Sequence, residues 1–159
     1  MRMAAQQNGQ QAYFFFIPDK DFALAILTNS DDGGIITAGV FDSALDIYFD
    51  TKIELPRPIK TPASALREFV GRYWIGTECF ELKLKGEYLV YYHIPLGGFP
   101  TPDAPPGPAK PPMRFAFYEK DRVIGLDEPY INALGDFFRD EKGRLRFFRI
   151  GGRAHKKIR

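Results

Sequence analysis

Few residues in this chain are of a type and spacing that could do chemistry. Only three serines occur, Ser30, Ser43 and Ser64. A serine becomes a nucleophile when a base lies within hydrogen-bond reach, and a lysine one helical turn later is one way to supply it. The third positions after these serines hold Gly33, Asp46 and Arg67. Arg67 is the nearest in type, but a guanidinium stays protonated and makes a poor base. Histidine offers little more. His93, in the apolar run YLVYYHIP, reads as a strand residue with a satisfied ring, a ligand role being the lesser alternative. His155 lies in a basic C-terminal segment. No carboxylate spacing around either picks out a metal site. Cys79, the single cysteine, excludes an internal disulfide and any thiolate-based zinc site. It shares parity with Glu81 and Lys83 on an expected strand, so it reads as outward-facing. Gly97-Gly98 and Gly151-Gly152 are isolated pairs without a P-loop lysine or dinucleotide spacing. No catalytic, cofactor or metal residues are expected.

Composition bounds what remains. The 159 residues suffice for one medium domain, or for a short element plus a domain of about 90 residues. Apolar content of 45%, a third of it aromatic, is ample for a core. Net charge is only +2, so no global field argues for nucleic acid or a membrane surface. No run approaches the roughly 20 apolar residues of a spanning helix. Met1–Gln11 is polar and lacks the apolar stretch of a signal peptide, so as written the chain is expected in the cytoplasm.

The elements fall into two groups. Ala12–Pro18 and Phe22–Asn29 are nearly continuous apolar runs, as in strands buried on both faces. Pro18-Asp19-Lys20-Asp21 between them is turn chemistry, and Asp31-Asp32-Gly33-Gly34 leads into a helix over Ile35–Asp50. Ile36, Val40, Ala44, Leu45 and Tyr48 recur at helical spacing, with Asp42, Asp46 and Asp50 left for solvent. Tyr13, Phe15 and Ile17 project to one face of the first strand, Phe14 and Phe16 to the other. One helix covers one face, so self-association through residues 12–29 is expected, with Tyr13, Phe15 and Ile17 as candidate oligomer contacts.

Residues 51–61, with Pro56 and Pro58, read as a linker, and Thr61-Pro62 as the N-cap and first residue of a short helix to about Val70. Beyond Gly71 the pattern is short strands: 71–75, 78–85, 87–94, 113–119, 121–126, 129–134, 135–140 and 144–150. Phe80, Leu82 and Leu84 alternate with Glu81, Lys83 and Lys85, one face inside and one in water. Eight short antiparallel strands suggest a closed up-and-down barrel. Phe80, Leu82, Leu84, Phe115 and Phe117 are candidate lining residues, around either a filled aromatic core or a cavity for a small apolar ligand. Pro95–Pro112 carries eight of the 13 prolines and cannot enter a sheet interior. It reads as a solvated excursion, a lid over the barrel mouth, or an arm touching a partner. Arg149, Arg153, Lys156, Lys157 and Arg159 read as a solvated basic end, with weak binding of phosphate or an acidic partner as the alternative.

NGQQAYFFFIPDKDFALAILTNSDDGG (Asn8 to Gly34) followed by one helix resembles the closing strand-turn-strand-helix of the serine β-lactamase, penicillin-binding-protein and D-aminopeptidase fold. ALREFVGRYW, FELKLKGEYLVYYH and FFRDEKGRLRFFRIGGRAHKK, in that order, resemble the lipocalin-like domain behind the catalytic domain of some such hydrolases. The family's Ser-x-x-Lys is missing. Tyr130-Ile131-Asn132 imitates Tyr-x-Asn but follows the resembling strands instead of preceding them. Lys60-Thr61-Pro62 imitates Lys-Thr-Gly from within a linker, and Met3-Ala4-Ala5 stands where the Lys-Thr-Gly strand end belongs. The resemblance implies a mainly β chain: residues 1–50 as the tail of an α/β sheet (a β-hairpin plus α-helix), a linker at 51–61, and an eight-stranded antiparallel barrel at 62–159. It implies a non-catalytic C-terminal part of a hydrolase, partnered by the missing catalytic domain or a second copy. The barrel's role would be substrate access or subunit contacts. A free-standing barrel binding a small apolar ligand is the alternative.

Overall fold

The apolar runs form strands that pair in register, and the chain folds as two compact units, residues 1–54 and 55–159. A computed structural model describes residues 2–7, 9–30, 33–52, 54–76, 78–98, 101–128 and 130–158. Asn8, Asp31, Asp32, Pro100, Pro129 and Arg159, on which parts of the sequence reading fall, lie outside the described residues.

In the first unit, β1 (Arg2–Gln7), β2 (Gln10–Ile17) and β3 (Phe22–Thr28) make an antiparallel meander in that order, followed by α1 (Gly33–Phe49). The sequence reading expects two strands, and the third is the polar segment Arg2–Gln7. Ladder bonds are made by the backbone and need no apolar side chain, so polarity did not exclude it. Pro18–Lys20 forms a 3-10 turn that ends on Asp21 in the left-handed region, with the Asp21 N–H donating to the Pro18 carbonyl (3.0 Å).

Registers Tyr13↔Ile26, Phe15↔Leu24 and Ile17↔Phe22 place these residues on one sheet face, and α1 covers it. The Phe15 ring stacks on Phe41 at 4.1 Å and is 5% exposed. This corrects two expectations. Tyr13, Phe15 and Ile17 lie beneath the helix, so the open face belongs to Phe14, Phe16, Ala23, Ala25 and Leu27. The helix's inward side is Thr37, Phe41, Ala44, Leu45 and Phe49, whereas Ile36, Val40 and Tyr48 are exposed. α1 is apolar nearly all round, so spacing alone fitted more than one face.

The second unit is a closed eight-stranded antiparallel barrel: β4 (Gly71–Ile75), β5 (Glu78–Lys85), β6 (Tyr88–Ile94), β7 (Met113–Glu119), β8 (Arg122–Gly125), β9 (Leu134–Arg139), β10 (Leu145–Ile150) and β11 (Arg153–Lys157). Each strand pairs with the next, and β11 returns to β4 through Lys156↔Trp74 and Lys157↔Tyr73. Two assignments differ from the sequence reading. Residues 130–133 are a connection, because the chain there turns back on itself through the Ala133 N–H to Tyr130 carbonyl bond (3.0 Å), and Leu134 already belongs to β9. The eighth strand is Arg153–Lys157, in which His155 is buried, Arg153 and Lys157 share its side at the two barrel ends, and Lys156 faces out, a pattern that reads from sequence as a solvated tail.

One barrel end is plugged. Pro62 in extended conformation precedes a single helical turn, α2 (Ala63–Leu66), and a 3-10 turn, Arg67–Phe69. Pro62, not Thr61, is the N-cap residue, and no side chain caps the turn. Leu66 and Phe69 are buried in the barrel core. Arg139 fastens this plug: its guanidinium pairs with Glu68 at 2.7 and 2.8 Å and with Asp121 at 2.7 Å, and covers the Phe69 ring.

Phe80, Leu82, Leu84, Phe115 and Phe117 sit in or against the core. The interior is filled by rings: Tyr73 stacks on Phe80 (5.4 Å), Phe80 packs on Tyr91 (4.6 Å), and Phe137 stacks on Phe148 (4.4 Å). Phe138 and Phe147 face outward as a cross-strand pair.

Candidate functional site

The barrel end opposite the plug is polar. Glu78 is the first residue of β5 and shares inward parity with Phe80, Leu82 and Leu84, so the strand aims a carboxylate into the barrel mouth. Its side chain is 15% exposed. The Tyr91 hydroxyl of β6 donates to Oε1 (3.3 Å), and His155 Nε2 of β11 lies 3.3 Å from Oε2. Arg153 approaches Oε2 at 4.0 Å. The fourth partner comes from the proline-rich connection: the Lys110 ammonium donates to Oε1 at 3.3 Å and to the Tyr130 hydroxyl at 3.4 Å. The Lys110 N–H donates to His93 Nδ1 (3.2 Å), fixing the connection to β6. His93 therefore has the satisfied ring the sequence reading expects.

Two local features set the positions. The proline-rich connection is folded by bonds from the Gly98 N–H to the Ala104 carbonyl (2.8 Å) and from the Ala104 N–H to the Thr101 carbonyl (3.0 Å). The connection then returns to β7 at Met113, which leaves Lys110 at the mouth. Tyr130 is carried by the β8–β9 connection. There Asp127 grips Arg114 bidentately (2.7 and 2.9 Å) and accepts its backbone N–H (2.8 Å). Asn132 takes a left-handed φ of 63° and donates to the Gly125 carbonyl (2.9 Å). Gly125 permits this approach, because a Cβ there would run into the Tyr130 carbonyl.

The cluster's electrostatics follow from its hydrogen bonds. The bond from His155 holds the Glu78 pKa down at about 2, against burial that raises it, with Lys110 assisting. Burial, then Glu78, pushes the Tyr91 hydroxyl up. Burial and the Lys110 charge lower His93. Burial opposes the Lys110 charge, but Tyr130 and Glu78 more than offset it and leave the pKa raised. His155, 1% exposed, has no partner for Nδ1 among the described residues. The cluster is an anionic carboxylate surrounded by donors, an arrangement that can hold positive charge.

Sequence reasoning missed this site. Glu78 went unnamed although an acid on an inward strand register was the available signal. In the sequence His155 is hidden among lysines and arginines, and Tyr130 reads as a misplaced Tyr-x-Asn. The other residues tested for chemistry do not converge here: Ser64 is exposed on α2, and Ser30 and Ser43 belong to the first unit. Cys79 points outward by register yet is buried, which raises its thiol pKa. Among the described residues no three His, Cys, Asp or Glu side chains gather as a metal site, and no helix is long and apolar enough to cross a membrane.

No family model and no curated protein matches the sequence. Among solved structures, a crystal structure of SurE with D-Leu is similar at TM-score 0.62 and 18% identity, covering 99% of this chain and 35% of that one. A second SurE crystal structure gives TM-score 0.58 at 18% identity, covering 99% and 34%. The chain spans about a third of the SurE chains it matches. At this identity the likeness concerns the fold alone.

Proposed function

We propose that the chain is a non-catalytic C-terminal part of a serine β-lactamase-like hydrolase: the closing sheet and helix of the catalytic domain joined to a lipocalin-like accessory barrel. The barrel acts in substrate access or subunit contacts. One observation carries the reading. The first unit is a sheet-and-helix layer whose two outer faces are both apolar. Leu27 (81% exposed) and Phe14 stand on the open sheet face, beside a shallow depression of about 460 Å³ bordered by Phe16, Pro18 and Phe22. Ile36, Val40 and Ile47 (77% exposed) stand on the outer side of α1. Such a layer suits the interior of a larger layered domain, where further elements cover both faces. That the chain spans about a third of the similar SurE chains supports a larger parent. The D-Leu named for one SurE structure agrees with a parent acting on substrates that contain a D-amino acid.

Two measurements test this. The purified chain should not hydrolyse nitrocefin, p-nitrophenyl esters or D-leucine amide above background; turnover that disappears in Ser64→Ala would refute the reading. Light scattering should show the full chain self-associating through the uncovered layer, and residues 55–159 monomeric. A full-length monomer would mean that the apolar faces need no partner.

A further inference from the structure

Glu78 already has one donor on each oxygen, Tyr91 on Oε1 and His155 on Oε2. Each oxygen thus has one partner before the lysine is counted. An ammonium is nevertheless brought to it, from the one lysine of a proline-rich connection. Its other flank is closed by Tyr130, whose hydroxyl lies at 3.4 Å and whose ring centroid lies 5.6 Å from Nζ. Tyr130 is itself held by irregular backbone: a left-handed Asn132, a glycine whose side chain would collide, and the Asp127–Arg114 clamp. A carboxylate and the Tyr130 hydroxyl thus converge on a single positive charge, groups that together can hold an alkylammonium. The Lys110 side chain stays 40% exposed, so a change of rotamer withdraws it while the rest of the cage keeps its bonds.

We propose that the barrel mouth is a binding site for a primary ammonium group, with Glu78 and Tyr130 as its ligands, Tyr91 holding Glu78 in place, and Lys110 as a resident occupant that an incoming amine displaces. This concerns the barrel alone and does not depend on the parent hydrolase. A tethered lysine competes at an effective concentration on the order of millimolar. Removing it therefore unmasks affinity instead of abolishing it.

The test is a titration of the full chain with n-butylammonium chloride, followed by the NMR signals of Tyr91, Tyr130 and the His155 ring. Lys110→Met should show saturable shifts, n-butanol none, and wild type the same shifts at concentrations at least tenfold higher. Adding Glu78→Gln to Lys110→Met should abolish saturation. Should that double variant not fold, Tyr130→Leu in the Lys110→Met chain should weaken binding at least fivefold. A dipeptide amide with a free N-terminus, run in parallel, distinguishes a peptide terminus from an alkylamine as the source of the ammonium. Equal response to butanol and butylammonium, equal midpoints in wild type and Lys110→Met, or binding unaltered by both cage variants would overturn the proposal.

Discussion

Glu78→Gln should destabilise the barrel at neutral pH and cost almost nothing at pH 2. The carboxylate is mostly buried and takes bonds from His155, Tyr91 and Lys110 at 3.3 Å each. These hold its pKa at about 2 against an ordinary 4.5. At about 1.4 kcal/mol per pH unit, that depression contributes about 3 kcal/mol at most. The sign is fixed by linkage. A folded-state pKa below the unfolded value contributes stability that is fully present above 4.5 and is lost as pH falls toward 2. Glutamine keeps the shape and an acceptor oxygen but not the charge, so the variant resembles protonated Glu78. The penalty should therefore be about 3 kcal/mol at pH 7, smaller near pH 4, and near zero at pH 2. Urea unfolding followed by Trp74 fluorescence measures it, because the single tryptophan lies on β4 of the barrel. A penalty that stays the same across this range would mean that Glu78 acts through packing alone, and the electrostatic account of the mouth would be wrong.

Two further outcomes follow from the strand registers. Leu82 is fully buried, so Leu82→Asp should cost about 4 kcal/mol or more by placing an unpaired carboxylate among rings. Glu81→Gln on the outer face loses only the Lys83 pair at 3.1 Å and should change stability by less than about 0.5 kcal/mol; similar effects would refute the parity. Deleting residues 153–159 should abolish the cooperative Trp74 transition, since it removes His155 and leaves the facing edges of β4 and β10 unpaired. A retained sharp transition would show that β11 is dispensable for closure.

The legible parts of this fold are those where side-chain chemistry and backbone geometry agree. Phe80, Leu82 and Leu84 alternate with charged residues, so the inward face of β5 could be read directly, and the turns at Gly86 and Gly143 carry the residues that a positive φ favours. Legibility fails where the two separate. β1 is polar because its place in the sheet is set by ladder bonds to β2. α1 is apolar on several sides, so periodicity did not identify its packed face. β11 is basic because its two ends and Lys156 reach water, and that pattern masks the one buried residue, His155. The mouth cluster is illegible for another reason. Glu78, Tyr91, Lys110, Tyr130 and His155 come from three strands and two irregular connections, and no spacing in sequence relates them. Barrel closure alone brings them together, so the chain's most organised polar chemistry was the part that local patterns could least reveal.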